Sequence, residues 1–350
     1  MSMMRLISFS YKEYGSGWQL EKLQLRDLNL LVGKNATGKT RTLQALRNVV
    51  DCLNGAGHLY CEFELVFSDG GNTLSYQLNE NSEQIEYEAL YKGETRLLER
   101  SNGHCVFYGE PINPPEQVLA IGSRRDTKMY TEAGQILQWA EHMSYFIFSN
   151  VTSSERSNSP FVMDSGMSLY KMYERTPGIQ EQVLLLLHKL GYDIDAVVID
   201  TMESGRQRLF LKEAGVEYAL GYTELSNGLF RVLSVLIYTL YSASLKNARC
   251  LMIDDLGEGL DYQRSNLLGN VVFDFCREHD IQLIATTNHS FLMDTVDVKY
   301  WTVLSRRGSY VTAISESTHP ELFRQFKLMG LNNFDLFASD FICNHAGQSE

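Results

Sequence analysis

Gly33-Lys34-Asn35-Ala36-Thr37-Gly38-Lys39-Thr40 fits the pattern G-x-x-x-x-G-K-[ST], the glycine loop that cradles phosphates. Before it, Leu28 to Val32 reads Leu-Asn-Leu-Leu-Val, an apolar run suited to a buried parallel strand. After it, Leu43, Leu46, Val49 and Val50 recur at helical spacing. Strand, glycine loop, then helix presents backbone N–H groups and a helix N-terminus to an anion. On this reading Gly33 to Thr40, with Arg41 behind them, bind the phosphates of a nucleoside triphosphate. Lys39 pairs with the β/γ-phosphates and Thr40 holds Mg²⁺. The ligands expected are ATP and Mg²⁺.

The second informative stretch begins at Glu224-Leu225-Ser226-Asn227-Gly228-Leu229-Phe230-Arg231. Leu229, Val232, Leu233, Leu236, Ile237 and Leu240 fall on one helical face, which places Ser226 at a helix N-terminus. Read alone, Ser226 is an N-cap. Further on, Cys250-Leu251-Met252-Ile253-Asp254-Asp255 is an apolar strand ending in two carboxylates. Carboxylates there point into the crevice where open α/β sheets bind ligands. Asp254 is then the second protein ligand of Mg²⁺, and Asp255 orients or deprotonates the attacking water. Gly257-Glu258-Gly259-Leu260-Asp261 reads as a tight loop, followed by a helix over 262–279 and a strand at Ile281–Ala285. That strand ends in Thr286-Thr287-Asn288-His289, where an amide or a neutral imidazole can sense the γ-phosphate. Asn288 and His289 are both candidates.

Composition narrows the classes. The chain of 350 residues has 21% charged and 44% hydrophobic residues, ordinary for a globular protein. A net charge of −12 argues against coating nucleic acid by bulk attraction, so any DNA or RNA contact needs a local basic patch or one supplied by a partner. The six cysteines form no C-x-x-C pair and read as buried thiols in a reducing compartment. The N-terminus lacks a signal pattern. The apolar stretch Leu229 to Leu245 is interrupted by Arg231, Ser234, Tyr238, Tyr241 and Ser242, which suits a core helix and not a membrane span. A cytoplasmic protein is expected.

Elsewhere, strands are expected at 4–10 and 18–25, joined as a hairpin. Tyr11, Tyr14 and Trp18 there suit strand packing better than stacking on a base. Short strands at Tyr60–Phe67, Thr73–Leu78, Ile85–Tyr91 and Cys105–Tyr108 make an antiparallel layer, closed by the rigid Pro111–Pro115 connector. A helix is expected over 126–143, a strand at Tyr145–Phe148, a polar surface loop over 150–160 and a helix over 178–190. Strand-like pieces follow at Ala196–Thr201 and Arg208–Lys212. Arg124 and Arg125 read as a solvated corner. The tail carries Leu322, Phe323, Phe326, Leu328, Met329, Leu331, Phe334, Leu336 and Phe337, which either cap the core or dock a partner.

In order, the glycine loop, Leu225-Ser226-Asn227-Gly228, Asp254-Asp255, Leu260-Asp261 and Asn288/His289 resemble the Walker A, signature, Walker B, D-loop and switch of the ATP-binding-cassette superfamily. The resemblance is to the soluble Rad50, SMC and RecF branch, and within it to the OLD-like AAA ATPases of bacterial anti-phage systems. It implies an α/β P-loop head over 1–305, with a mixed or parallel core sheet, an antiparallel β insertion at 59–109 and a helical or mixed subdomain at 110–221. The signature, Walker B and switch lie over 222–305, and a C-terminal strand and amphipathic tail over 306–350. No heptad run is present, so no long coiled coil is expected. No room is left for an attached TOPRIM nuclease.

The resemblance also implies an ATPase that dimerises around two ATPs and regulates a separate effector, a nuclease. Ser226, Asn227 and Gly228 would meet the γ-phosphate held by the other subunit. A nucleotide-gated scaffold or DNA sensor with little hydrolysis is the alternative. Family members carry glutamate where Asp255 stands. A shift of ~1 Å can cost about 100-fold in rate, so slow hydrolysis is expected.

Overall fold

A computed structural model describes residues 4–81, 84–123, 130–148, 169–201, 205, 207–221, 224–245, 250–339, 341 and 342. Arg124, Arg125 and the polar loop over 150–160 lie outside the described residues. The chain divides into two compact units. One comprises Met1–Met143, Val298–Leu331 and Asp335–Glu350, and the other Ser144–Asp297 and Asn332–Phe334.

In the first unit, β1 (Arg5–Glu13) and β2 (Gln19–Gln24) form the expected antiparallel hairpin. β1 buries Leu6, Ser8, Phe9 and Tyr11, and its alternation is broken where the register against β4 shifts between Leu6 and Ser8. All five residues of β3 (Leu28–Val32) are buried, as the unbroken apolar run requires. Helix α1 (Lys39–Leu53) follows and buries Leu43, Leu46, Val49 and Val50.

Next come β4 (Cys61–Asp69), β5 (Asn72–Glu80), β6 (Ile85–Lys92), β7 (Thr95–Ser101), β8 (His104–Phe107) and β9 (Glu110–Ile112). Each pairs antiparallel with the next, and β4 pairs with β1. The antiparallel strands expected over 59–109 are therefore present, with β7 and β9 in addition. The Pro-rich connector is strapped down by two charged groups. Arg100 donates to the carbonyls of Pro115, Glu116 and Val118. Buried Glu88 accepts from the Tyr76 hydroxyl and the N–H groups of Ala120 and Ile121, and its burial pushes the carboxyl pKa up. Helix α2 (Thr131–Glu141) closes this part, with Trp139 edge-on to Phe67.

The second unit holds β10 (Met143–Ile147), α3 (Leu169–Arg175), α4 (Ile179–Lys189), β11 (Ile194–Thr201), β12 (Gln207–Glu213) and β13 (Leu220–Gly221). Strands β11, β12 and β13 form a small antiparallel sheet of their own. Helix α5 (Asn227–Ser244) and β14 (Cys250–Asp254) follow, then α6 (Tyr262–Glu278), β15 (Gln282–Thr286) and α7 (Ser290–Thr295). β14 and β15 run parallel, both fully buried, with Ile253 opposite Ala285.

The chain then returns to the first unit as β16 (Trp301–Arg307) and β17 (Tyr310–Ser315). β16 lies parallel to β3 with Val303 opposite Val32, and β17 lies parallel to β2. Hydrogen bonding thus joins β3 to the antiparallel strands in the order β3-β16-β17-β2-β1-β4 to β9. Helix α8 (Pro320–Leu328) buries Leu322, Phe323 and Phe326 and sets Phe326 edge-on to Trp301. This part of the tail caps the core, while Leu328, Met329 and Leu331 are exposed. Among the described residues no helix is long and apolar enough to cross a membrane.

Candidate functional site

The glycine loop joins β3 to α1 in the first unit. Its lysine, Lys39, is buried, and the ammonium donates to the carbonyls of Gly33 at 2.6 Å and Lys34 at 3.0 Å. The positive charge is thus wrapped by its own loop. Thr37 turns its hydroxyl onto the Lys34 carbonyl at 2.8 Å, and Arg306 of β16 donates to the Ala36 carbonyl at 3.2 Å. Lys34, Asn35, Ala36 and Thr40 are exposed, and Thr37 and Gly38 partly so. Gly38 sits at φ +104 as the N-cap of α1, a conformation open to glycine. No acidic residue stands in the first turn of α1, so no carboxylate of that turn competes with an anion.

Gly33 is required for a different reason, namely space. A Cβ there would lie 2.5 Å from Thr37 Oγ1 and 2.8 Å from the Leu304 carbonyl oxygen. The second neighbour is backbone of β16, fixed by its pairing with β3. Gly33→Ala is expected to destabilise the fold by about 1–3 kcal/mol, by overpacking, and to weaken ATP binding with it. Urea denaturation with and without ATP-Mg²⁺ checks this. An unchanged midpoint would show that the loop yields freely.

Arg41 is engaged elsewhere. Its guanidinium stacks over the Trp18 ring at 5.0 Å and bonds Glu13 and Ser16. The Ser16 hydroxyl and the Arg41 guanidinium together hold the Glu13 carboxyl below the usual range. Tyr11 and Trp18 are buried packing residues, as expected. Tyr14 packs edge-on to Tyr60 and donates to Asn79.

The second unit carries the paired carboxylates. The register of β14 on β15 places Thr286 beside Asp254. The Thr286 hydroxyl donates to Asp254 Oδ1 at 2.5 Å and accepts the Asp255 N–H at 2.9 Å. One hydroxyl therefore sets both acidic residues. Asp254 is buried, whereas Asp255 turns out of the strand at φ +55. Asp and Asn tolerate this left-handed backbone better than other side chains. The exposed Asn288 places its amide nitrogen 3.4 Å from Asp255 Oδ1. His289 is partly buried, with Nδ1 3.0 Å from the Ser265 hydroxyl and Nε2 3.0 Å from the Leu260 carbonyl.

Ser226 is the N-cap of α5: its Oγ accepts from the Leu229 N–H at 3.2 Å, and Leu225 is buried behind it. Ser226 and Asn227 are exposed, and Gly228 partly so. The loop 257–261 packs against this helix start. A Cβ on Gly228 would touch Leu260 at 3.4 Å, and Arg231 donates to the Glu258 carbonyl at 2.9 Å. The second unit therefore brings together Ser226–Gly228, the loop, Asp254–Asp255 and Asn288–His289.

Sequence reasoning missed Thr286, Ser265, Arg231 and Arg306. A hydroxyl one step past a buried strand was a visible signal for Thr286. The other three act on backbone carbonyls or a ring nitrogen, and no residue pattern announces that.

Among the described residues no cluster of three or more His, Cys, Asp or Glu could hold a metal ion. A Mg²⁺ site built from one hydroxyl, one carboxylate and phosphate oxygens needs no such cluster. Thr40 is exposed in the first unit and Asp254 is buried in the second, and each carries an oxygen of the type Mg²⁺ takes.

No protein-family model matches the chain, and no curated protein matches it. Solved structures do. The chain is similar to an SMC head bound to the C-winged helix domain of ScpA, at 12% identity and TM-score 0.56, covering 89% of this chain and 97% of that one. It is also similar to a Pyrococcus furiosus Smc head domain with an extended coiled coil, bound to the C-terminal domain of ScpA. There identity is 12% and the TM-score 0.51, over 93% of this chain and all of the other. A third, the Smc head domain with a coiled coil and joint from Pyrococcus yayanosii, gives 11% and 0.51 over the same shares. The likeness shows the fold. The chain has the α/β fold of an SMC head domain, with no coiled coil among the described residues.

Proposed function

We propose that this chain is an ATPase that closes into a dimer around ATP and thereby controls a separate protein. The observation that carries the reading is the loop Gly33–Thr40, with a glycine that admits no side chain and a buried lysine wrapped by the loop's own carbonyls. Few structures other than a phosphate cradle ask for that combination.

Bound ATP-Mg²⁺ supplies the scissile phosphoanhydride bond and a cation that offsets charge on its oxygens. Lys39 and the loop N–H groups hold the β- and γ-phosphates. Thr40 and Asp254 would be the protein ligands of the metal. Asp255 accepts a proton from the attacking water or fixes its orientation, with Asn288 beside it. Ser226, exposed at the start of α5, offers a hydroxyl and a helix N-terminus to the nucleotide of a second copy.

The separate protein is the effector, for which a nuclease in anti-phage defence or DNA-end processing is the reading taken from the motif resemblance. The ScpA domains bound by two of the similar SMC heads support a protein partner of some kind. The cytoplasm is the compartment proposed. Any contact with nucleic acid would need a partner or a local basic patch, given the net charge of −12. A second reading, a nucleotide-gated scaffold with little hydrolysis, is favoured by the short carboxylate of Asp255.

Light scattering on the purified chain, with and without ATP-Mg²⁺, tests the proposal. The mass is expected to double with ATP and to stay single with ADP. A monomer under every condition would remove the dimer mechanism and favour a lone phosphotransferase. An oligomer indifferent to ATP would make the assembly structural.

A further inference from the structure

Asn288 and His289 follow the same strand, and either could answer to the nucleotide on sequence alone. Their surroundings differ. Nε2 of His289 meets the Leu260 carbonyl at 3.0 Å, and a carbonyl only accepts, so Nε2 carries the hydrogen. Nδ1 lies 3.0 Å from the hydroxyl of Ser265, which is fully buried on α6 and can pair with that nitrogen as donor or acceptor. Both ring nitrogens are committed inside the fold. A phosphate contact through Nε2 would require giving up the loop.

The loop itself is held twice. His289 takes the Leu260 carbonyl, and Arg231 of α5 takes the Glu258 carbonyl at 2.9 Å. Within the loop, Leu260 N–H bonds the Gly257 carbonyl and Glu258 N–H bonds the Asp255 carbonyl. The loop backbone thus runs directly into the residue proposed to act on water. Asn288 by contrast is exposed, with its amide 3.4 Å from Asp255 Oδ1.

We infer that His289 is a positioning residue, which fixes the loop 257–261 through the Leu260 carbonyl, and that Asn288 is the side chain that works beside Asp255. The inference deepens the ATPase reading and rests on it for its catalytic half. Its structural half stands without nucleotide. Gly228, two residues after Ser226, packs on the same loop, so the hold exerted by His289 reaches the start of α5 that is offered to a second copy.

The test uses the full chain with His289→Ala, His289→Gln and Asn288→Ala. Hydrogen exchange is read at the amides of Glu258 and Leu260 without nucleotide, and ATP and ADP affinities and turnover are then measured. Exchange is expected to quicken about tenfold in His289→Ala, as local opening becomes easier. It returns in His289→Gln, whose amide can donate to Leu260, and is unchanged in Asn288→Ala. The ratio of ATP to ADP affinity stays within about twofold in His289→Ala. Turnover falls about tenfold and is rescued by glutamine, the size of effect expected of an outer-shell partner. Asn288→Ala lowers turnover with the loop intact.

Should His289→Ala fail to fold, His289→Asn stands in, since its short amide can face Ser265 but not reach Leu260. Unchanged exchange in the alanine variant would overturn the inference. So would a tenfold loss of ATP preference in it, or wild-type turnover in Asn288→Ala. Failure of the ATPase reading looks different: the wild type would bind no ATP, and the exchange data would still decide the role of His289.

Discussion

Asp255→Asn leaves the chain folded and ATP bound, keeps the ATP-driven dimer, and lowers turnover by about 100-fold or more, the usual loss on removing a general base. The substitution changes basicity and little else. Asparagine accepts the left-handed backbone at φ +55 as readily as aspartate does. The bond from the Asp255 N–H to the Thr286 hydroxyl is a backbone bond and survives. The carbonyl oxygen of the new amide can still accept from Asn288. Phosphate release under single-turnover conditions, beside light scattering, measures both halves of the expectation. Turnover at the wild-type level would assign the water to another group and end the role given to Asp255. The same backbone conformation gives a physical reason for the short carboxylate, because glutamate lacks the local hydrogen bonding that eases aspartate into the left-handed region.

Lys39→Ala is the second large effect. The ammonium is buried at the start of α1 and donates to the Gly33 and Lys34 carbonyls. Charge-assisted hydrogen bonds are worth about 1.5–3 kcal/mol each, so losing its phosphate contacts lowers ATP affinity about 10- to 100-fold. ATP-driven doubling of mass disappears with it. Calorimetric titration gives the affinity. Circular dichroism separates a binding defect from loss of fold, since two loop carbonyls also lose their partner. ATP binding at wild-type strength would remove the loop from the site altogether.

The parts legible in the sequence were those whose physics is local. Leu28 to Val32, the glycines and the amphipathic start of α1 each follow from neighbours in the chain, and they specify strand, loop and helix between them. Ser226 was readable as an N-cap for the same reason. The two carboxylates were readable because an apolar strand that ends in charge has few explanations. What remained hidden depends on partners distant in sequence. β7 and β9 carry mixed or polar residues and owe their strand form to the ladder beside them. The hydroxyl of Thr286 gained its position from the parallel register of β14 on β15, and no spacing encodes register between strands joined by a helix. The choice between Asn288 and His289 turned on a carbonyl and on Ser265, more than twenty residues away in the chain. Arg41, expected behind the phosphates, bonds Glu13 and stacks over the Trp18 ring, partners that lie more than twenty residues back in the chain.

The pairing of β3 with β16 has a consequence for how the protein is made. On that side the strand that carries the phosphate loop has no neighbour until Trp301 to Val303 arrive, roughly 270 residues later. At about 5–20 residues per second, a ribosome needs roughly 15 to 50 s to supply them. The hairpins from β4 to β9 involve near neighbours and can settle as they emerge, whereas this long closure must wait. The Leu304 carbonyl that crowds Gly33 and the Arg306 guanidinium that steadies Ala36 come with the same late strand. The loop therefore lacks both contacts, and β3 its neighbour on that side, until β16 has left the ribosome.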